Sequence, residues 1–132
     1  MVRVAGLHHV QLAAPAGSEK LARAFFGELL GLPEIPKPPN LARRGGVWYQ
    51  LGAAQLHVGI ERDFRPAEKA HPAFEVDDLA GLRTRLTDAG VETWDDEPFP
   101  GRDRFYARDP FGNRLEFLGP ERLGPPPADT PR

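Results

Sequence analysis

The order of helical and extended segments in this chain is given twice, and that repeat restricts the fold more than any other feature. Gly31 and His57 stand 26 residues apart, and so do Gly90 and Glu116. His9 precedes Gly31 by 22 residues and His71 precedes Gly90 by 19, so the halves match apart from about three extra residues in the first. Each half reads β-α-β-β-β. A half of about 60 residues buries too little surface to be stable alone, so the two are expected to pair within the chain or across a dimer.

The elements follow from periodicity. After Ser18, a plausible N-cap, Leu21, Phe25, Leu29 and Ala22, Phe26, Leu30 recur at i,i+4 until Gly31 supplies a left-handed stop. A second helix runs from Asp77 or Asp78 through Leu79, Leu82, Leu86 and Ala89 to Gly90. Strand candidates alternate instead: Val10 and Leu12 against His9, Gln11 and Ala13; Leu56, Val58 and Ile60 against His57 and Gly59; Phe74 and Val76 against His71, Ala73 and Glu75; Leu115 and Phe117 against Glu116 and Leu118. One parity of each strand is bulky and apolar, as a face packed beneath helices would be. Weaker strands are expected at Gly46–Leu51, at Arg104–Arg108 and around Glu34 and Thr93. Asp109-Pro110-Phe111-Gly112-Asn113 reads as a tight connection between two strands, with Gly112 and Asn113 able to take positive φ.

Pro33, Pro36, Pro38 and Pro39 mark a connecting loop, and Pro125, Pro126, Pro127 and Pro131 mark a tail without core-forming residues. The expectation is one folded unit over residues 3–123, made of modules at about 5–62 and 68–120, with a disordered tail over 124–132. An α+β architecture follows, in which the two modules form a curved mixed sheet with the helices on its convex side.

The chain has no Cys, so disulfides, thiolate zinc sites and a Cys nucleophile are excluded, and any metal must be held by imidazole and carboxylate. With 17 Lys and Arg against 19 Asp and Glu, it lacks the basic excess that nucleic acid or an anionic membrane would need. No stretch approaches the roughly 18 apolar residues of a membrane span, and a cytoplasmic protein is expected.

Three of the four His and one Glu occupy matched places in the repeat. His9 and His71 fall in the first strand of each half, His57 and Glu116 in the last, always on the parity opposite the apolar face. A single His on a strand is ordinarily a polar or half-buried residue; four coincident positions suit a divalent first-row metal with open positions for water or substrate. His8 has the opposite parity and reads as a surface or packing residue.

Three segments carry a family resemblance: Leu7-His8-His9-Val10-Gln11-Leu12; Lys69-Ala70-His71-Pro72-Ala73-Phe74 with Asp77-Asp78-Leu79; and Phe105-Tyr106-Ala107-Arg108-Asp109-Pro110-Phe111-Gly112-Asn113-Arg114-Leu115-Glu116. Over residues 5–120 the chain resembles the vicinal oxygen chelate superfamily, which includes glyoxalase I, bleomycin-resistance and fosfomycin-resistance proteins, methylmalonyl-CoA epimerase and extradiol dioxygenases. The resemblance implies paired βαβββ modules, a homodimer and a divalent metal ion (Zn, Ni, Co, Mn or Fe). It carries His9, His71 and Glu116 to the three most common ligand positions. His57 falls at the fourth, where glyoxalase I-like members more often have Glu or Gln, so Glu116 is the one acid of the set and either it or His57 is expected to move the proton. Against the fosfomycin-resistance pattern, Gln11 replaces a Thr and Arg104 a small hydroxyl residue, so phosphonate recognition is not supported.

The leading expectation is a metal-dependent lyase or isomerase acting on a small oxygen-rich molecule, with Glu116 and His57 as catalytic residues. Gln11, Trp48, Gln50, Arg104 and Tyr106 are candidate substrate contacts. Two alternatives stand beside it: a metal-free drug-sequestering protein of the bleomycin-resistance kind, and a small non-haem iron dioxygenase.

Overall fold

The computed structural model describes residues 1–122. The Pro-rich tail expected over 124–132 lies outside the described residues. The chain divides into two compact units: residues 1–69 together with Asp109–Asn113, and residues 70–108 together with the segment from Arg114 onward.

The first unit contains β1 (His9–Ala14), α1 (Glu19–Ala22) continuing directly into a π-helical turn (Arg23–Leu29), β2 (Glu34–Ile35), α2 (Pro39–Ala42), β3 (Val47–Leu51) and β4 (Ala54–Ile60). Its sheet has the order β1-β4-β3-β2, with β1 parallel to β4 and the other neighbours antiparallel. The second unit contains β5 (Ala73–Glu75), α3 (Leu79–Asp88), β6 (Thr93–Trp94), β7 (Arg104–Arg108) and β8 (Arg114–Leu118). Its order is β5-β8-β7-β6, with β5 parallel to β8. Each unit therefore sets first beside last, then third, then second. A helical crossover brings the first strand parallel to the last, and two antiparallel turns complete the sheet.

Alternation sorts the side chains. In the first unit Val47 pairs with Val58 and Tyr49 with Leu56 in register, and all four are buried with Ala14, Ala22, Phe25 and Phe26. In the second, Phe105 pairs with Phe117 and Ala107 with Leu115, buried with Phe74, Leu82 and Leu86. The residues between them face the other way. Trp48 opposes His57, and Tyr106 opposes Glu116 at the equivalent place.

Three local expectations are corrected. The first helix is α-helical only over its opening turn; beyond it Leu30 N–H reaches Phe25 C=O at 2.9 Å, a five-residue spacing. The smaller angular step of the wide turn lets the adjacent Phe25 and Phe26 both enter the core, their rings 4.9 Å apart. Ser18 holds the N-cap position, but its hydroxyl donates to Pro15 C=O and not to the helix. His71 lies two residues before β5, outside the strand expected to carry it. By contrast Asp78 caps α3 through a 3.0 Å bond from Gly81 N–H. Gly31 and Gly90 both have positive φ, as helix stops should. In the Asp109–Asn113 connection Gly112 takes positive φ and Asn113 does not. Among the described residues no helix is long and apolar enough to cross a membrane.

Candidate functional site

In the first unit the non-core face of the sheet carries a column of rings. Trp48 lies flat on its cross-strand partner His57, centroids 3.9 Å apart and planes 2° apart, and His9 stacks on His57 with centroids 4.1 Å apart. His57 is buried between them. Burial first, then the neighbouring His9, His8 and Lys37, pushes its imidazole down to about 4, so the ring is neutral at pH 7. Its Nε2 donates to Gln55 Oε1 at 2.9 Å, which leaves Nδ1 as the acceptor nitrogen. His8 is exposed and meets His9 through their Nδ1 atoms, 2.9 Å apart. Gln11 is the β1 register partner of His57, and its amide lies so close over Gly59 that a Cβ there would collide with it. Gln50 spends its amide donors on Gly52 C=O and Ala54 C=O, closing the β3–β4 turn.

In the second unit the equivalent face holds a pair. His71 Nε2 lies 2.7 Å from Glu116 Oε1. The other carboxylate oxygen, Oε2, accepts from Arg104 Nη1 at 3.2 Å, and the same Nη1 donates to Tyr106 OH at 3.0 Å. Burial alone would raise the Glu116 pKa, but the hydrogen bonds from His71 and Arg104 outweigh it and hold the carboxyl below its ordinary value. Tyr106 is buried and meets His71 edge to face at 5.5 Å.

The profile of the Glyoxalase/Bleomycin resistance protein/Dioxygenase superfamily matches residues 6–117. The chain belongs to this superfamily. A putative glyoxalase family protein from Bacillus anthracis is 47% identical, covers 90% of this chain and 98% of its own, and superposes with a TM-score of 0.86. A lactoylglutathione lyase from Agrobacterium tumefaciens is 22% identical, with coverages of 88% and 94% and a TM-score of 0.67. A glyoxalase/dioxygenase from Nostoc punctiforme, also 22% identical, covers 88% and 92% with a TM-score of 0.72. The last two share the fold. No match is found among curated proteins.

The glyoxalase-superfamily fold thus presents the four matched residues as two pairs, His9 with His57 in one unit and His71 with Glu116 in the other. Among the described residues no group of three or more His, Asp or Glu is arranged to hold a metal ion. The donors nonetheless suit one. Nitrogen and oxygen ligands bound at about 2.0–2.1 Å stand roughly 3 Å apart when adjacent on an ion. The 2.7 Å gap between His71 Nε2 and Glu116 Oε1 is close to that spacing. A proton bridges such a gap where no cation does, and neutral His57 has the protonation state a ligand requires.

Gln55 in the first unit and Arg114 in the second escaped the reading of the sequence. Gln55 holds the His57 tautomer; it sits two residues earlier on the same strand, so strand alternation alone placed it on the His57 face. Trp94 stacks against Tyr106 with ring centroids 5.9 Å apart, and Arg114 Cζ lies 4.4 Å from the Tyr106 ring. Their shared parity with Glu116 was the available signal.

Proposed function

We propose that this chain is a divalent-metal-dependent enzyme of lyase or isomerase type that acts on a small oxygen-rich molecule. The observation that carries the reading is the 2.7 Å approach of His71 Nε2 to Glu116 Oε1, two ligand-type atoms close to the spacing of neighbouring ligands on one ion. His9, His57, His71 and Glu116 would hold the ion, within one chain or across a homodimer; Zn, Ni, Co, Mn and Fe all suit such donors. When bound, the ion supplies Lewis-acid polarisation of two adjacent substrate oxygens.

The protein's own groups do the rest. Arg104 keeps Glu116 ionised and fixes Oε2, so Oε1 is the oxygen left to face an ion or a proton. Glu116 Oε1 or the His57 imidazole takes the proton from the carbon beside the polarised oxygens. Trp48, held flat on His57, and Gln11 shape the substrate's surroundings in one unit, and Tyr106 and Arg104 do so in the other. The names of the relatives, a lyase and a dioxygenase, mark the two reaction types to assay first.

Elemental analysis of the purified protein, with Co²⁺ titration followed by visible absorbance, tests this directly. Wild type is expected to take up metal stoichiometrically, while His71→Ala, His57→Ala and Glu116→Ala lose it. The reading fails if wild type holds no more metal than these variants; binding of a planar aromatic drug in the presence of a chelator would then favour a sequestering role.

A further inference from the structure

Two rings hold the plane of His57. Trp48 lies on it with the planes 2° apart, and His9 stacks on it with the planes 16° apart. Stacking fixes the plane of an imidazole and leaves its edges undecided. A half-turn about the Cβ–Cγ bond keeps the ring in that plane while exchanging Nδ1 with Cδ2 and Nε2 with Cε1, so both stacks survive it. The proton is equally undecided, because a neutral imidazole carries it on either nitrogen.

One hydrogen bond removes both ambiguities. Gln55 Oε1 lies 2.9 Å from His57 Nε2. An amide oxygen only accepts, so the proton sits on Nε2 and the ring is turned to bring that nitrogen to Gln55. The half-turned ring would set a carbon against the amide oxygen, and the other tautomer would set two acceptors against each other. No other hydrogen bond to this imidazole is made among the described residues.

Gln55 is itself anchored. It lies on β4, inside the sheet, with His9 of β1 as its register partner on one side and Gln50 of β3 on the other. Its N–H donates to His8 C=O at 3.0 Å. Gln50, its cross-strand neighbour, has both amide donors spent on Gly52 C=O and Ala54 C=O, so it does not compete for Gln55 Oε1.

We propose that Gln55 is a positioning residue: by accepting from Nε2 it commits His57 to offer Nδ1, free of its proton, to the ion. The hydrogen bond made by one ring nitrogen decides which nitrogen can act as a ligand, and it makes that nitrogen more basic. The part given to the ion rests on the metal-site reading above; the choice of nitrogen does not.

The test uses full-length protein carrying ¹⁵N-labelled histidine, treated with a chelator and then titrated with Co²⁺ at mildly alkaline pH. Long-range ¹H–¹⁵N correlation reports the tautomer of each imidazole, and His57→Gln identifies the His57 signals. In metal-free wild type His57 is expected as a single Nε2–H tautomer. Gln55→Leu removes the acceptor and leaves both stacking rings; it should give a mixture of tautomers and about tenfold to a hundredfold weaker Co²⁺ binding at unchanged stoichiometry. Gln55→Glu restores an acceptor at the same reach and should restore both tautomer and affinity. Trp48→Leu, with Gln55 intact, should keep the tautomer, which separates the hydrogen bond from the stack. If Gln55→Leu fails to fold by circular dichroism, Gln55→Met, of nearly the same length and without the amide, is read in its place. The role of Gln55 is overturned if metal-free wild type carries the His57 proton on Nδ1, if the variant without the amide keeps the wild-type tautomer, or if that variant binds Co²⁺ as wild type does. Uptake by wild type separates the two readings: a Gln55-dependent tautomer in a wild type that takes up no Co²⁺ leaves the choice of nitrogen standing and removes the metal site.

Discussion

Trp48 and His57 stack with their planes 2° from parallel, the same cross-strand step that joins Tyr106 to Glu116 in the second unit. The indole shields the imidazole from water and orients its ring. Trp48→Leu is therefore expected to cost about 1–2 kcal/mol in urea unfolding, the value of a stacked pair plus lost apolar area. In a metal titration the same variant should show about tenfold weaker uptake with unchanged stoichiometry, as loss of an orienting neighbour does. Unchanged uptake would make the stack a packing contact only.

Arg104 is the cation that compensates the buried Glu116, whose side chain is 7% exposed. Arg104→Met leaves that carboxylate with His71 as its remaining partner, and a destabilisation of about 3 kcal/mol is expected. Adding Glu116→Gln should recover much of the loss. Unfolding curves of the two single variants and the double variant give the coupling directly.

Glu19 accepts from Gly46 N–H at 2.8 Å, and that bond, followed by one from its own amide, holds its carboxyl below the ordinary 4.5. A carboxyl with a depressed folded pKa stabilises fully above its unfolded value and loses that contribution as pH falls through the folded one. Melting temperatures of wild type should thus fall below about pH 4.5, and Glu19→Gln should flatten part of that slope. Gly46 cannot be replaced to mimic this, because its φ is +89° and a Cβ would strike Val58 C=O.

Asn113 Nδ2 donates to Ala13 C=O at 2.8 Å and to Asp109 Oδ2 at 2.7 Å, while Asp109 Oδ1 accepts from the Phe111 and Asn113 amides. Burial raises the Asp109 pKa against the pull of these hydrogen bonds. Asn113→Ala strands one buried acceptor, Asp109 Oδ2, and one part-buried acceptor, Ala13 C=O, and is expected to cost about 1–3 kcal/mol by thermal or urea unfolding. A change below 0.5 kcal/mol would show that water replaces the amide fully.

Strand parity was readable because bulky residues alternate without interruption in Leu56–Ile60 and Leu115–Leu118, and β7 was expected at Arg104–Arg108, where it lies. The short strands at Glu34 and Thr93 were also legible, since each follows a glycine stop by a few residues. What the sequence hid depends on cross-strand register or on side-chain choice. Ser18 has two acceptors within reach and turns to Pro15; Gln50 turns to its own hairpin. His71 keeps the repeat's spacing, two residues before the partner of Glu116 as His9 is two before the partner of His57, although strand pairing begins only at Ala73. Pairing of Arg108 with Arg114 needs the hairpin register, which the length of the Asp109–Asn113 turn sets.

The π-helical turn has a bearing on how the two halves came to differ. From the first helical residue to its glycine stop the first unit uses 12 residues, Glu19 to Gly31, and the second uses 11, Leu79 to Gly90. One of the surplus residues therefore sits inside the helix, where a widened turn absorbs it within nearly the same axial length. An insertion tolerated there is not passed on to the strands that follow, so the 26-residue interval from Gly31 to His57 survives unaltered. Deleting one exposed residue of that turn, such as Ala24, would return the segment to α-helical winding and make the two halves equal in length from helix start to last strand.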